Sequence, residues 1–282
     1  MVAVKGLYNQ AKEEFTKAGI DAPAFNSLCL VEKVFGVNQA QLMSENPLAD
    51  EKDAARFITL VGRRLTGEPL QYLLGEWEFY GYKFKVGRGV LIPRDDTEVL
   101  LRSCLDYLKD KPAARVLDLC SGSGALAVVI AKETDCEVIA VEKSAEALPY
   151  LMENISLNKA AVAVVADDIF KCTDDFPDGY FDLILSNPPY IISSEIDSLQ
   201  KEIAYEPRMA LDGGEDGYVF YRHIISQWKS KLKSGGRLAF ELGEGQFETV
   251  KSLMEDNGFS EIGFENDLGG IQRAVYGTLS TI

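Results

Sequence analysis

The residues Asn187, Pro188, Pro189 and Tyr190 follow directly on the apolar run Leu183, Ile184 and Leu185. Proline fixes φ and carries no N–H. Two of them remove donors and leave carbonyl acceptors. The Asn187 side-chain oxygen and the Pro188 carbonyl can both accept from one NH2 group, and Tyr190 offers an aromatic face to a planar group. The set suits a nitrogen whose lone pair is delocalised, a carboxamide or an aromatic amine. Such a nitrogen is a poor nucleophile. Two aligned acceptors would orient it toward an electrophile. The plain alternative is a loop that two prolines happen to occupy.

Three further places carry chemistry. A turn of Cys120, Ser121, Gly122, Ser123 and Gly124 follows the run at residues 115–119. Its glycines let a backbone approach a ligand, and the helix that follows offers free N–H groups. Gly122, Gly124 and Ala127 have GxGxxA spacing, and Glu142 stands twenty residues after Gly122. That pattern alone fits a dinucleotide enzyme. Glu142 can accept two ribose hydroxyls, or cap the next helix. Asp168 can accept from an exocyclic adenine amine with Ile169 against the ring, or be a solvated acid. His223 is the one histidine. It lies in a helical pattern and reads as structural or exposed, so neither a His-based metal site nor a Ser-His-Asp triad is expected.

Elements must bring these residues together. From residue 115 strand-like runs alternate with helical ones: residues 115–119, 137–142, 161–166, 182–186 and 236–242. This rhythm predicts an α/β domain with a mostly parallel sheet, in which ligands bind beyond the carboxyl ends of the strands. Ser144 is the expected N-cap of a helix through residue 158. Two strands joined by Gly269-Gly270 close the chain as an antiparallel pair. Earlier, residues 1–72 read as a small α-helical bundle, with Asp21 and Pro23 opening one helix and breaks at Asn46-Pro47 and at residues 67–69. Ala54, Phe57, Ile58, Val61 and Leu65 form its expected buried stripe. Residues 73–92 read as a β-hairpin connector with Gly81 in its turn, leaving residues 93–282 as the catalytic domain.

Composition narrows the class. The 282 residues are 46% hydrophobic and 26% charged, the profile of a soluble globular protein. No run is long and apolar enough for a membrane span, and the polar helical pattern of the first fifteen residues lacks the apolar core expected of a signal peptide. Five scattered cysteines suit free thiols in the cytoplasm. The net charge is −15; residues 1–75 hold eight Lys or Arg and nine Asp or Glu, and the remainder 21 and 35. So acidic a second part argues against direct nucleic acid binding, which runs on phosphate neutralisation. A monomer is the default expectation.

Taken together the chain resembles the class I S-adenosyl-L-methionine-dependent methyltransferases, and more narrowly the peptide chain release factor glutamine methyltransferases (the HemK/PrmC family). The resemblance rests on "RRLTGEPLQYLLGEWEFYGYKFKVGRGVLIPRDDTE", "VLDLCSGSG", "SNPPYI", "EPRMALDGGEDGYVFYR" and "FELGEGQ", in the family's order from end to end. It implies a seven-stranded Rossmann-like sheet preceded by the bundle and hairpin. It also implies methylation of the amide nitrogen (N5) of the glutamine in the Gly-Gly-Gln motif of release factors, with S-adenosyl-L-homocysteine as product. By position it implies that Cys120 to Gly124, Glu142, Ile169 and Asn187 hold the cofactor, with Asp118 beside its methionine end. Asn187, Pro188, Pro189 and Tyr190 would hold the glutamine, the bundle would recognise the protein substrate, and no metal is implied. The chain departs from the family at Pro93-Arg94-Asp95-Asp96-Thr97-Glu98, usually PRPETE, and at Cys120, usually glycine. Adenine-N6 methyltransferases share the Asn-Pro-Pro-Tyr motif and remain a rival, as do a nicotinamide oxidoreductase and a non-catalytic scaffold.

Overall fold

Hydrophobic spacing builds the first of two units, Met1–Glu76 with Gln200–Tyr205. The computed structural model describes residues 1–45 and 47–280, so Asn46 of the expected Asn46-Pro47 break lies outside the described residues. Strand β1 (Val2–Ala3) pairs antiparallel with β2 (Leu48–Ala49). Around this pair lie α1 (Val4–Lys17), α2 (Pro23–Phe35), α3 (Gln39–Ser44), α4 (Glu51–Leu65) and α5 (Leu70–Leu74). Phe15, Leu30, Leu42 and Phe57 fill the core between them. Pro23 begins α2 as expected, but Asp21 contributes its main-chain oxygen, which accepts from Asn26 Nδ2 at 3.0 Å. Asp50 caps α4 by accepting from the Asp53 N–H at 2.7 Å.

The buried stripe of α4 corrects the sequence expectation. Ala54, Phe57 and Val61 face inward, but Ile58 is 56% exposed and Leu65 38%. Leu60 and Arg64 take the inner positions. Arg64 can do so because its charge is met: Nε donates to Asn26 Oδ1 at 2.7 Å and Nη2 to Glu202 Oε1 at 2.6 Å. A buried cation without such partners would be costly.

The second unit is Trp77–Leu199 with Glu206–Ile282. Hairpin strands β3 (Glu76–Phe79) and β4 (Tyr82–Lys85) turn at Tyr80 and Gly81, both at positive φ. Phe79 and Phe84 are buried with Leu100 and Leu101 of α6 (Thr97–Leu108), so the hairpin is part of this unit's core. There follow β5 (Arg115–Leu119), α7 (Ala125–Glu133), β6 (Glu137–Val141), α8 (Leu148–Asn158), β7 (Val162–Val165) and β8 (Phe181–Ser186). The chain ends with α9 (Val219–Gln227), β9 (Leu232–Glu241), α10 (Phe247–Asp256), β10 (Phe259–Asn266) and β11 (Gln272–Leu279). Helix α8 starts four residues after Ser144. The Ser144 hydroxyl accepts from the Ala147 N–H at 3.2 Å, holding a turn that leads into the helix. Pro149, which has no N–H, sits in the first helical turn, where none is needed.

The sheet has seven strands in the order β10-β11-β9-β8-β5-β6-β7, parallel from β7 to β9. β11 runs antiparallel to both neighbours, which makes the expected C-terminal antiparallel pair. Alternate residues of each strand point to opposite faces. Val116 and Leu183 enter the core under α6 and α7; Leu117 and Ile184 enter the other, with Tyr221 and Ile225 of α9 and Val250 of α10. No helix among the described residues is long and apolar enough to cross a membrane. Strand order reverses between β5 and β8, which is where an open α/β sheet leaves a crevice.

Candidate active site

At that reversal Leu119 of β5 pairs with Ser186 of β8, and the Ser186 hydroxyl donates to the Leu119 carbonyl at 2.6 Å. Cys120 and Asn187 therefore leave the sheet side by side. Both line an open cleft of about 950 Å³. Of the residues expected in the site, Asp118, Cys120, Ser121, Gly122, Ser123, Glu142, Asp168, Ile169, Asn187 and Pro189 line this cleft. Gly124, Pro188 and Tyr190 do not.

The glycine turn explains part of that division. Cys120 has φ +61°, a conformation that favours glycine and strains a residue with a Cβ. A glycine-favouring position thus holds a cysteine, and burial drives its thiol pKa well up. Gly124 serves packing instead. A Cβ there would stand 2.4 Å from Leu151 Cδ1 of α8. Gly122 has open space beside it, and its N–H donates to Glu142 Oε2 at 2.7 Å. Glu142 Oε1 accepts from the Ser144 N–H, also at 2.7 Å. Glu142 thus braces the glycine turn and the next one. Each of its oxygens keeps a lone pair for a ligand.

Asp118 is 1% exposed, and neither carboxylate oxygen has a hydrogen-bond partner among the described residues. The nearby Ser121 hydroxyl is turned to the Asp118 main-chain oxygen, at 2.8 Å. Burial drives the Asp118 carboxyl up to about 7. On the far side of the cleft, Asp168 Oδ1 accepts from the Phe170 N–H at 3.1 Å and Oδ2 lies 3.5 Å from Lys143 Nζ. Ile169 is held by its carbonyl, which accepts from Trp228 Nε1 at 3.1 Å and from His223 Nε2 at 2.9 Å. His223 also stacks on Phe170 at 4.1 Å between ring centres. Its structural role is to fix Ile169.

The Asn-Pro-Pro-Tyr turn is held from several sides. Asn187 Nδ2 donates to Thr97 Oγ1 at 3.3 Å, and Thr97 Oγ1 donates to Glu241 Oε2 at 2.6 Å. The Tyr190 hydroxyl donates to Glu241 Oε1 at 3.2 Å. Tyr190 is thereby half-buried against the second core rather than free in the cleft. Its carbonyl accepts from Gln246 Nε2 at 3.1 Å. A Cβ on Gly213 would stand 2.7 Å from Tyr190 Cα, so the loop at residues 212–217 comes as close to the turn as only glycine permits. Burial drives the Glu241 carboxyl up to about 7, against the lowering effect of its Thr97 and Tyr190 hydrogen bonds. Glu206, equally buried, accepts from the Ile92 N–H at 3.0 Å and pairs with Arg94. Thr97, Glu241, Gln246 and Glu206 lie within the quoted motifs but received no role from sequence. Glu241 alone carried a signal, a charge directly after the apolar Leu238, Ala239 and Phe240; the other three stand among polar, glycine or proline neighbours and carried none.

An amide acceptor, an unpaired buried carboxylate, a braced glycine turn and a second carboxylate with free lone pairs thus line one cleft. Comparison with known proteins gives the family. Residues 6–75 match the family described as PrmC N-terminal domain, and residues 95–259 the Methyltransferase small domain. A release factor glutamine methyltransferase of Geobacter sulfurreducens is 40% identical over 280 residues, covering 98% of this chain and 96% of the relative. One from Thermodesulfovibrio yellowstonii is 40% identical over 247 residues, covering 86% and 88%. A solved methyltransferase of Pyrococcus furiosus shares the fold, with a TM-score of 0.54 at 21% identity over 72% of this chain and 91% of that one. With relatives this similar from end to end, the chain belongs to the release factor glutamine methyltransferase family.

Proposed function

We propose that the protein methylates the amide nitrogen (N5) of the glutamine in the Gly-Gly-Gln motif of peptide chain release factors, using S-adenosyl-L-methionine. The observation that carries this reading is the Asn187 amide, tied by its nitrogen to Thr97 on the wall of the cleft. Its oxygen is the end left to accept from a substrate NH2.

The residues present fit the cofactor. The orphaned Asp118 carboxylate would meet the ammonium of the methionine end. Gly122 gives room for close approach, Glu142 has lone pairs for the ribose hydroxyls, and Asp168 and Ile169 suit the adenine edge and face. When bound, S-adenosyl-L-methionine supplies a methyl group made electrophilic by its sulfonium.

The chain's own part is to present the amide. Asn187 Oδ1 accepts one N–H of the glutamine, and the Pro188 carbonyl, between the lining residues Asn187 and Pro189, accepts the other. With both hydrogens held, the nitrogen is fixed in the orientation that points its lone pair at the methyl position. The nitrogen becomes more acidic as it alkylates, so water suffices to take the proton. Tyr190 positions the turn through Glu241. The helical unit and the remote parts of the protein substrate supply the binding energy that a single amide lacks. A monomer working in the cytoplasm, without direct nucleic acid contact, suits the net charge of −15.

The test is incubation with labelled S-adenosyl-L-methionine and, separately, a release factor, its Gln→Ala variant at the Gly-Gly-Gln motif, and DNA. Label on the intact release factor alone is the expected result. Label on DNA would move the reading to adenine-N6 methylation.

A further inference from the structure

A terminal amide has two ends of nearly the same shape and opposite hydrogen-bond character. Asn187 can turn its oxygen or its NH2 toward the cleft, and only the oxygen suits a substrate that brings an NH2 of its own. A surrounding group must choose between them. Thr97 at the start of α6 is 4% exposed, and Glu241 at the end of β9 is 2% exposed. The Thr97 hydroxyl has one proton, and the ionised Glu241 carboxylate takes it through Oε2 at 2.6 Å. Thr97 Oγ1 can then only accept from its other neighbour, which is Asn187 Nδ2 at 3.3 Å. The choice is thus made two bonds away from the substrate. The second oxygen of the same carboxylate accepts from the Tyr190 hydroxyl at 3.2 Å, so one group holds both ends of the turn.

We infer that Thr97 and Glu241 are positioning residues that order the hydrogen-bond directions around Asn187 and so set its amide with the oxygen toward the substrate nitrogen. The inference rests on the function proposed above. Without the Glu241 acceptor, the Thr97 hydroxyl is free to donate to Asn187. The amide then turns its NH2 to the cleft, where it opposes the NH2 of the glutamine. Two donors face to face bind poorly and leave the reacting nitrogen misaligned.

Thr97→Val removes the hydroxyl at nearly constant shape; Thr97→Ser keeps it. Methyl transfer to a release factor is measured at saturating cofactor, with cofactor affinity by calorimetry. Thr97→Val should lower kcat about tenfold or more, the weight of one ordinary hydrogen bond. Cofactor affinity should stay within about twofold, because it does not depend on the amide's direction; so should the KM for the release factor, because remote contacts rather than the one amide supply its binding energy. Thr97→Ser should restore kcat. Glu241→Met should lose at least as much, and adding Thr97→Val to it should cost little more, since both act through one chain of bonds. A second readout needs no turnover. In protein labelled with 15N-asparagine, the side-chain NH2 signals missing from Asn187→Ala should move in Thr97→Val and return in Thr97→Ser. Wild-type kcat or unmoved signals in Thr97→Val, while Asn187→Ala abolishes transfer, would overturn this inference and leave the proposed function standing. Full transfer by Asn187→Ala would instead overturn the role of Asn187, and the inference with it.

Discussion

Replacing Asp118 by asparagine should make the protein more stable at pH 8 and a poorer cofactor binder. Asp118 is buried with both oxygens unpaired, and its carboxyl is driven from 3.8 up to about 7. Holding that group ionised in the folded state costs about 4 kcal/mol relative to the unfolded chain. The sign follows from proton counting. Between about pH 4 and pH 7 the folded chain keeps a proton that the unfolded chain has lost, so stability falls as the pH rises through that window. The asparagine of Asp118→Asn has the same shape as the aspartate and no charge. It should recover the 4 kcal/mol less about 1–3 for a buried amide without partners, a net gain of about 1–3 kcal/mol. At about 2–4 °C per kcal/mol this is a rise of several degrees in Tm at pH 8. At pH 5 only about 1–2 kcal/mol of that cost remains in the wild type, which the penalty of the buried amide offsets, so the gain should vanish. Glu241 also titrates near 7, but it is common to both proteins and cancels in the difference. The cofactor's ammonium loses a charged acceptor in the same variant, so its Kd at pH 8 should rise roughly 10- to 100-fold. Scanning fluorimetry at the two pH values and titration calorimetry give both numbers. A Tm lowered equally at pH 5 and pH 8, or cofactor affinity equal to wild type, would refute the argument.

The strain at Cys120, with φ +61°, predicts that Cys120→Gly keeps stability within about 1 kcal/mol, relief of strain offsetting lost contacts and added chain entropy. Cys120→Val, with a β-branched side chain in the same conformation, should cost about 2 kcal/mol or more by urea denaturation. Gly213→Ala places a Cβ 2.7 Å from Tyr190 Cα and should push the Asn-Pro-Pro-Tyr turn out of line. Its kcat should fall more than about tenfold while cofactor affinity by calorimetry stays unchanged. In the helical unit, Arg64→Ala leaves Asn26 and Glu202 without their buried partner. The loss should be about 1–2 kcal/mol, since Glu202 can turn to solvent and only the Asn26 amide stays buried, read as an earlier thermal transition of that unit.

What could be read without coordinates was local. The run at residues 115–119 became β5 to the residue, because five consecutive positions between turn signals allow a buried strand and little else. Asn187 and the glycine turn could be placed at strand ends by the same means, and the parallel order then brought them to one crevice. The helix α4 shows where this fails. Ile58 and Leu65 fit the apolar period chosen from sequence, yet the bundle buries Leu60 and Arg64 in their place. The deciding facts are the partners of Arg64 at Asn26 and Glu202, 38 and 138 residues away, and no periodicity carries them.

The site divides along the same line. Spacing identifies which residues leave a strand end; it does not say where their polar atoms point. Tyr190 was expected to present a free face, and the structure spends its hydroxyl on Glu241 and its ring on the core. Thr97 and Glu241 are 144 residues apart, and each looks ordinary alone, a threonine opening a helix and a glutamate closing a strand. Their meaning lies in direction. Once ionised, the Glu241 carboxylate only accepts, a hydroxyl has one proton to give, and an amide must then offer its nitrogen to that hydroxyl. Three side chains from three segments thus settle one rotation of one amide, and that rotation decides whether an acceptor or a donor meets the substrate.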